Sequence, residues 1–435
     1  MTSRTDRSRL LVLGWEGGGN VPPTIAVIRA LSARGHDVRF IGDDSILPQA
    51  RAAGARVARW KRAPNRPDRS PQSCFARDWE QPDDLSGFVA WARAIFLGPA
   101  LRYAEDVVEA ARAEPTDAII GSDLLFGGMV AAEALDLPHA LLAFNVSLVP
   151  LPGHPPFGPG FFPAANDDER RRDREVAVMV DAMFDGFLPQ INAARARFGL
   201  PPLTRTLDQF RADLLLLCTA KAFDFPVDEL PPHVRYVGPL LEQPGWAVQG
   251  AAPNFDGRPT VLVSFSTTYQ KQEATLAAAI EALGALPVRG VVTLGAALTG
   301  RSLPAPPNVE ILDSGSHDDI IRRAACVVTH GGHGTTLRAL RAGAPVLVLP
   351  MGRDQGENAA RVEYHGAGIR LPREASAAEI AAAIRRLLDE PSFARNAQKL
   401  ARAIAEEGGG AARVADEVEA MIRAARAPLR NAVGA

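Results

Sequence analysis

Two histidines three residues apart in a glycine turn open the most chemically loaded stretch of the chain, "VVTHGGHGTTLRALRAGAPVLVLPMGRDQGENAARV" at residues 327–362. An apolar run ends at Thr329, glycines permit a tight turn, and a helix is predicted to begin near Thr335. The free amides and positive dipole end of such a helix suit an anion such as a diphosphate. His330 and His333 can donate to the same phosphates, and Thr335 adds a hydroxyl and an amide. Four residues after "PVLVLP", Asp354 supplies an acceptor-only carboxylate and Gln355 an amide, a pair suited to gripping sugar hydroxyls. A histidine pair at this spacing also fits a metal. No third ligand cluster follows it in sequence, and the glycines favour a phosphate loop.

The first half offers a second set. In "LGWEGGGNVPPTIAVIRALSARGHDVRF", residues 13–40, a strand runs into glycines, then Asn20, then prolines and a helix. Asparagine is among the best N-cap residues, so Asn20 reads as the cap of that helix. Glu16 lies inside the same turn. Asp123 follows the strand pattern "TDAIIGS"; it fits either the cap of the next helix or a cleft role at a strand's carboxyl end. His154 sits in "SLVPLPGHPPFGPGFFPAAND", where proline, glycine and phenylalanine predict a long surface loop of the kind that borders binding sites.

The elements that must hold these residues alternate between strand and helix, which predicts parallel sheets covered by helices. "RLLVLGW", "HDVRFIG", "TDAIIGSD" and "PHALLAF" read as strands of the first half. "TVLVSFS", "RGVVTLG", "NVEILD", "ACVVTH" and "PVLVLP" repeat the pattern in the second, with a helix after Asn358. Residues 239–258 gather proline and glycine without periodicity and read as a linker. The fold class is α/β: two Rossmann-like, doubly wound parallel-sheet domains, at 1–238 and 259–408, facing a cleft. An amphipathic helix in 409–435 carries Val414, Val418 and Ile422 on one face and is expected to cross back to the first domain.

At 435 residues the length suits two domains. A net charge of −2 offers no basic excess for nucleic acid or an anionic membrane. No apolar run reaches the length of a membrane span. Cys74, Cys218 and Cys326 have neither metal nor disulfide spacing, which fits a reducing cytoplasm.

"THGGHGTT…ALRAGAPVLVLPMGRDQGENAARV" resembles the donor-binding signature of the GT-B glycosyltransferases, the branch holding antibiotic, macrolide and plant secondary-metabolite enzymes. "GGGNVPPTIAVIRALSARGHDVRF" resembles that family's opening loop and helix. "HVRYVGPLL" and "VLVSFSTT" resemble its entry to the linker and the first turn of its second domain. The resemblance implies an inverting transfer from a nucleotide-diphosphate sugar, with no bound metal and no cofactor besides that substrate. It implies that His330, Gly332, His333, Gly334 and Thr335 line the diphosphate. Asp354 and Gln355 would hold the sugar, Ser264 and Thr267 would edge the cleft, and the segment at His317 would face the base. It puts an apolar acceptor among Phe88, Trp91, Phe144, His154 and Phe157. The expected partner is thus a small-molecule secondary metabolite, with no nucleic acid and no membrane span, acting on a monomer or homodimer.

The chain departs from the family at instructive places. Ser314 stands where an aromatic often stacks on the base, and Arg338 where a glutamate often binds the ribose. Ser266 replaces a glycine. The donor is therefore UDP- or dTDP-linked, the weakened ribose grip leaning towards dTDP. Asn20 stands where the family usually places a catalytic histidine, which an aspartate matched here by Asp123 orients. A carboxamide cannot accept a proton. Three solutions follow: Asp123 is itself the base, Glu16 or His154 substitutes, or the acceptor is already acidic or nucleophilic. Rival readings are a sugar-nucleotide epimerase and a catalytically silent homologue that binds nucleotide sugars.

Overall fold

The computed structural model describes residues 7–242 and 253–433. Of the expected linker, residues 243–252 lie outside the described residues. The first half forms a seven-stranded parallel sheet from β1 (Arg9–Leu13), β2 (Asp37–Gly42), β3 (Arg56–Arg59), β4 (Ala118–Ser122), β5 (His139–Ala143), β6 (Leu214–Leu217) and β7 (Val234–Tyr236). Its order is β3-β2-β1-β4-β5-β6-β7. The second half forms a six-stranded parallel sheet from β8 (Thr260–Ser264), β9 (Arg289–Thr293), β10 (Val309–Leu312), β11 (Ala324–Thr329), β12 (Val346–Val348) and β13 (Gly368–Arg370). Its order is β10-β9-β8-β11-β12-β13. Helices cover both faces of each sheet, so β4, β5, β6 and β8 are buried along their whole length and read as unbroken apolar runs.

Strand order reverses between β1 and β4 and again between β8 and β11, and ligands of such sheets bind outside the carboxyl ends at those points. Register fixes what meets there. Leu13 pairs with Gly121, which sets the glycine turn beside Asp123; Ser264 pairs with Thr329, which sets Ser264 beside His330.

Several boundaries differ from the sequence reading. The helix expected near Thr335 is His333–Arg341, because Gly332 takes the extended backbone (φ −59°, ψ 132°) that precedes it. The helix expected after Asn358 is Gln355–Tyr364. The segment read as a surface loop turns inward instead. Leu148, Leu151 and Phe157 are buried, and the amides of Gly158 and Gly160 donate to Glu357 Oε1 at 3.0 and 2.8 Å. Regular structure resumes at the helix Asp167–Asp185, capped by Asn166 accepting from Glu169 N at 2.9 Å.

The helix Ala411–Val433 lies on the first sheet, where Val414, Val418 and Ile422 pack with Leu10, Val12 and Ile28. Conversely, Ala220 and Phe223 join the core of the second lobe, with Leu262 and Val327. The chain passes between lobes at two places that touch. A Cβ on Gly238 would stand 2.4 Å from Gly408 O, and one on Gly409 would stand 2.2 Å from Val237 O. Only glycine allows backbones to approach so closely.

Candidate active site

The glycine turn is shaped by the opposite lobe. Gly18 has φ +79°, and a Cβ there would lie 2.7 Å from Thr267 Oγ1 and 2.8 Å from Thr268 Cγ2 across the cleft. Both the left-handed backbone and the contact demand glycine. Asn20 precedes the helix Val21–Ala33, but its side chain does not cap it. Its backbone is already helical (φ −83°, ψ −14°) and the carboxamide reaches back: Oδ1 accepts from Gly17 N at 3.1 Å and Nδ2 donates to Trp15 O at 2.9 Å. Asn20 thus fastens the turn. Glu16 is not placed as a free base, because its buried carboxylate accepts from Gly18 N at 3.0 Å and pairs with Arg69 Nε at 2.9 Å.

Asp123 behaves differently. The residue before the next helix is Leu125, so Asp123 caps nothing. It is fully buried; Oδ1 accepts from Ser122 Oγ at 3.4 Å and Oδ2 has no partner. Burial pushes its carboxyl up to about 8, with the nearby Asp354 charge adding to the shift. At neutral pH it is mainly the acid.

On the second lobe, burial and the Arg353 charge bring His330 down to about 3, so it is a neutral imidazole. His333 Nδ1 lies 3.0 Å from Asn358 Oδ1. The orientation of that amide is set, because Asn358 Nδ2 faces Gly331 O and Asp354 Oδ2, both at 3.0 Å. His333 therefore carries its proton on Nδ1, and its Nε2 has no partner. Burial raises Asp354 and lowers His333. Gln355 is held by Met351 N at 2.6 Å and by Gln270 Oε1 at 2.8 Å. His317 Nε2 sits 3.2 Å from both Ser264 Oγ and Thr293 Oγ1, and burial holds it near 4. Arg338 is a partly buried cation that pairs with Asp318 at 3.3 Å and donates to Glu242 O at 2.5 Å.

These groups surround one cavity of about 220 Å³ between the lobes. Its first-lobe wall includes Asn20, Phe88, Trp91, Phe144 and Phe157. The second lobe brings Thr267, His317 and His330, then Gly332, His333, Gly334 and Thr335 at the helix start, and finally Asp354 and Gln355. Ser264 and Asp123 do not line the cavity: Ser264 touches the wall residue His317, and Asp123 is wholly buried, its sequence neighbours Ser122 and Leu124 being on the wall. His154 is elsewhere. Its Nε2 lies 3.0 Å from Phe225 O and it faces a separate small cavity with Asp224, because the loop that carries it is drawn under by Glu357. It is not placed as an acceptor contact or a base.

Two features escaped the sequence reading. Arg353 has φ +58°, donates to Asp78 Oδ2 at 2.7 Å and Thr268 Oγ1 at 2.9 Å, and lies over the Trp91 ring. Arg361 joins Asp224 of the first lobe to Glu357 of the second. Apart from Glu357, four residues before Arg361, their partners are remote in sequence; a positively charged residue just before Asp354 was the one local signal. Among the described residues, no three His, Cys, Asp or Glu side chains gather to hold an ion. No helix among them is long and apolar enough to cross a membrane.

Two parallel sheets whose switch points face one cavity are the GT-B architecture. Comparison with known proteins agrees. Residues 277–421 match the family model described as erythromycin biosynthesis protein CIII-like, C-terminal domain. The 4'-demethylrebeccamycin synthase of Lentzea aerocolonigenes is 29% identical over 90% of this chain and 94% of its own. The zeaxanthin glucosyltransferase of Pseudescherichia vulneris is 31% identical over 70% of this chain and 74% of its own. The solved glycotransferase of kitacinnamycin superposes with a TM-score of 0.70 at 21% identity, covering 95% of this chain and 99% of that one. The chain belongs to the GT-B glycosyltransferases of antibiotic and natural-product biosynthesis, enzymes that attach sugars to such products.

Proposed function

We propose that this glycosyltransferase moves a sugar from a dTDP- or UDP-linked donor to an apolar natural-product acceptor, with inversion at the anomeric carbon. The observation that carries the reading is the start of the helix His333–Arg341, whose free amides line the cavity beside the neutral His330 imidazole. A leaving diphosphate gains charge as the glycosidic bond breaks, and fixed donors aimed at that charge stabilise the transition state. Asp354 and Gln355, at the start of the next helix and on the same wall, are the groups proposed to meet the sugar. The acceptor approaches from the aromatic first-lobe wall, opposite the leaving group, so a single displacement inverts the centre.

Asp123 is the group best fitted to take the acceptor's proton. It lies at the carboxyl end of β4 with one carboxylate oxygen free, whereas Asn20 and Glu16 are committed within the glycine turn. Arg338 at the nucleoside end donates but cannot accept, which favours dTDP, the nucleotide with one ribose hydroxyl fewer.

A thermal-shift series with dTDP, UDP and GDP tests the donor site. Ligand at about 100 Kd should add roughly 2.7 kcal/mol to folded-state stability, with dTDP or UDP shifting the midpoint most. If none of the three moves it at millimolar concentration, the proposed diphosphate site is wrong. The donor groups named here are all protein amides and side chains. Transfer should therefore persist after dialysis against a chelator, as followed by product chromatography.

A further inference from the structure

The first-lobe end of the cavity has an excess of hydrogen-bond donors that the transfer reading leaves unused. Arg66 is 5% exposed and lines the cavity beside the glycine turn. Its guanidinium donates to Ser70 O at 3.0 Å and Glu16 O at 3.4 Å, and to Ser73 Oγ at 3.4 Å. It forms no ion pair with a carboxylate among the described residues. A buried guanidinium with no carboxylate at ion-pair distance is costly, so a position that keeps one invites a functional explanation. Arg338 and Arg353, the cations on the second-lobe wall, are neutralised by Asp318 and Asp78.

The neighbours of Arg66 sharpen the point. Arg69, also on the wall, uses Nε on Glu16, and its side chain is 27% exposed. Trp15 is 4% exposed, lines the same end, and has an indole N–H without a partner. An indole N–H can only donate. The nearby acids do not answer these donors. Glu16 is taken up by Gly18 and Arg69. The Asp43 carboxylate accepts from the backbone amides of Glu16 and Arg66 at 2.6 and 3.0 Å, not from the guanidinium. Burial also raises Asp43 to about 7, which leaves it half neutral there at physiological pH.

We propose that this end of the cleft is a subsite for an anionic group on the acceptor, a carboxylate or an ionised phenol, received by Arg66, Arg69 and the Trp15 indole N–H. The aromatic wall at Phe88 and Trp91 then takes the apolar body of the same molecule. The inference rests on the reading that the acceptor occupies the first lobe. It also bears on Asn20, because an acceptor bound through a fixed charge is oriented without a histidine in the turn.

The test uses 1-naphthoate and 1-naphthamide, equal in shape and different in charge. Each is titrated calorimetrically into the full chain saturated with dTDP or UDP, so that the diphosphate site is closed to the anion. Naphthoate should bind about tenfold tighter than the amide. Arg69→Gln should remove that preference and leave amide and nucleotide binding unchanged; because Arg69 pairs with the buried Glu16, its result is read at a melting point that matches the parent. Arg66→Met should do the same; because Arg66 also braces its loop, its result counts only where the melting point matches the parent. Equal affinity for the two probes, or a preference that survives Arg69→Gln, overturns the subsite. A chain that binds neither nucleotide refutes the donor site instead, and the two probes, compared without nucleotide, still decide the subsite.

Discussion

Asp123→Asn should lower turnover by about 10²- to 10⁴-fold, the loss expected when a general base is removed. The parent enzyme should show kcat/KM rising about tenfold per pH unit and levelling off above about 8, where the Asp123 carboxyl becomes ionised. The same substitution should make the protein harder to melt in mildly alkaline buffer. The carboxyl is raised from 3.8 to about 8 on folding. Between those values the folded chain holds a proton that the unfolded chain has lost, so this group weakens the fold as pH rises through that window. Asparagine has no such charge to suppress. A flat pH profile, or near-parental turnover in Asp123→Asn, would leave the proton to the acceptor's own acidity.

Arg361→Met should destabilise the fold by about 3–5 kcal/mol, the usual cost of stranding buried ionised partners. Arg361 is 3% exposed and lies 2.8 Å from Asp224 and 3.3 Å from Glu357, themselves 10% and 2% exposed. Asp224 also accepts from Tyr236 of the first sheet at 2.7 Å, and Glu357 also holds the amides of Gly158 and Gly160. The loss should therefore appear in denaturant midpoint and in activity together. Adding Asp224→Asn and Glu357→Gln to Arg361→Met should recover part of the stability, because neutral amides are cheaper to bury than carboxylates. If Arg361→Met melts like the parent, the network is not what joins the lobes.

The parts of this molecule that were legible in sequence are those whose cause is local. β1, β4 and β8 are apolar runs bounded by glycine or polar turns, and burial on both sheet faces makes such runs unmistakable. The edge strands β3 and β7 are three or four residues long with exposed arginines, and neither carries a periodic signal. At the site, the helix start at His333 was visible because glycines and Thr335 crowd one turn. The function of Asn20 was not. Its type matches a cap, and only the backbone angles show that its carboxamide is spent on Gly17 and Trp15. Glu16, His154 and Arg66 were equally opaque, since each also depends on a partner that only folding brings near: Arg69, Phe225 O and Glu16 O.

The paired crossings at Gly238 and Gly408–Gly409 constrain how the enzyme can breathe. Two lengths of backbone pressed together there leave no room for a side chain between them, so a bulkier residue at either glycine would wedge the crossing open and disturb both attachments of the lobes at once.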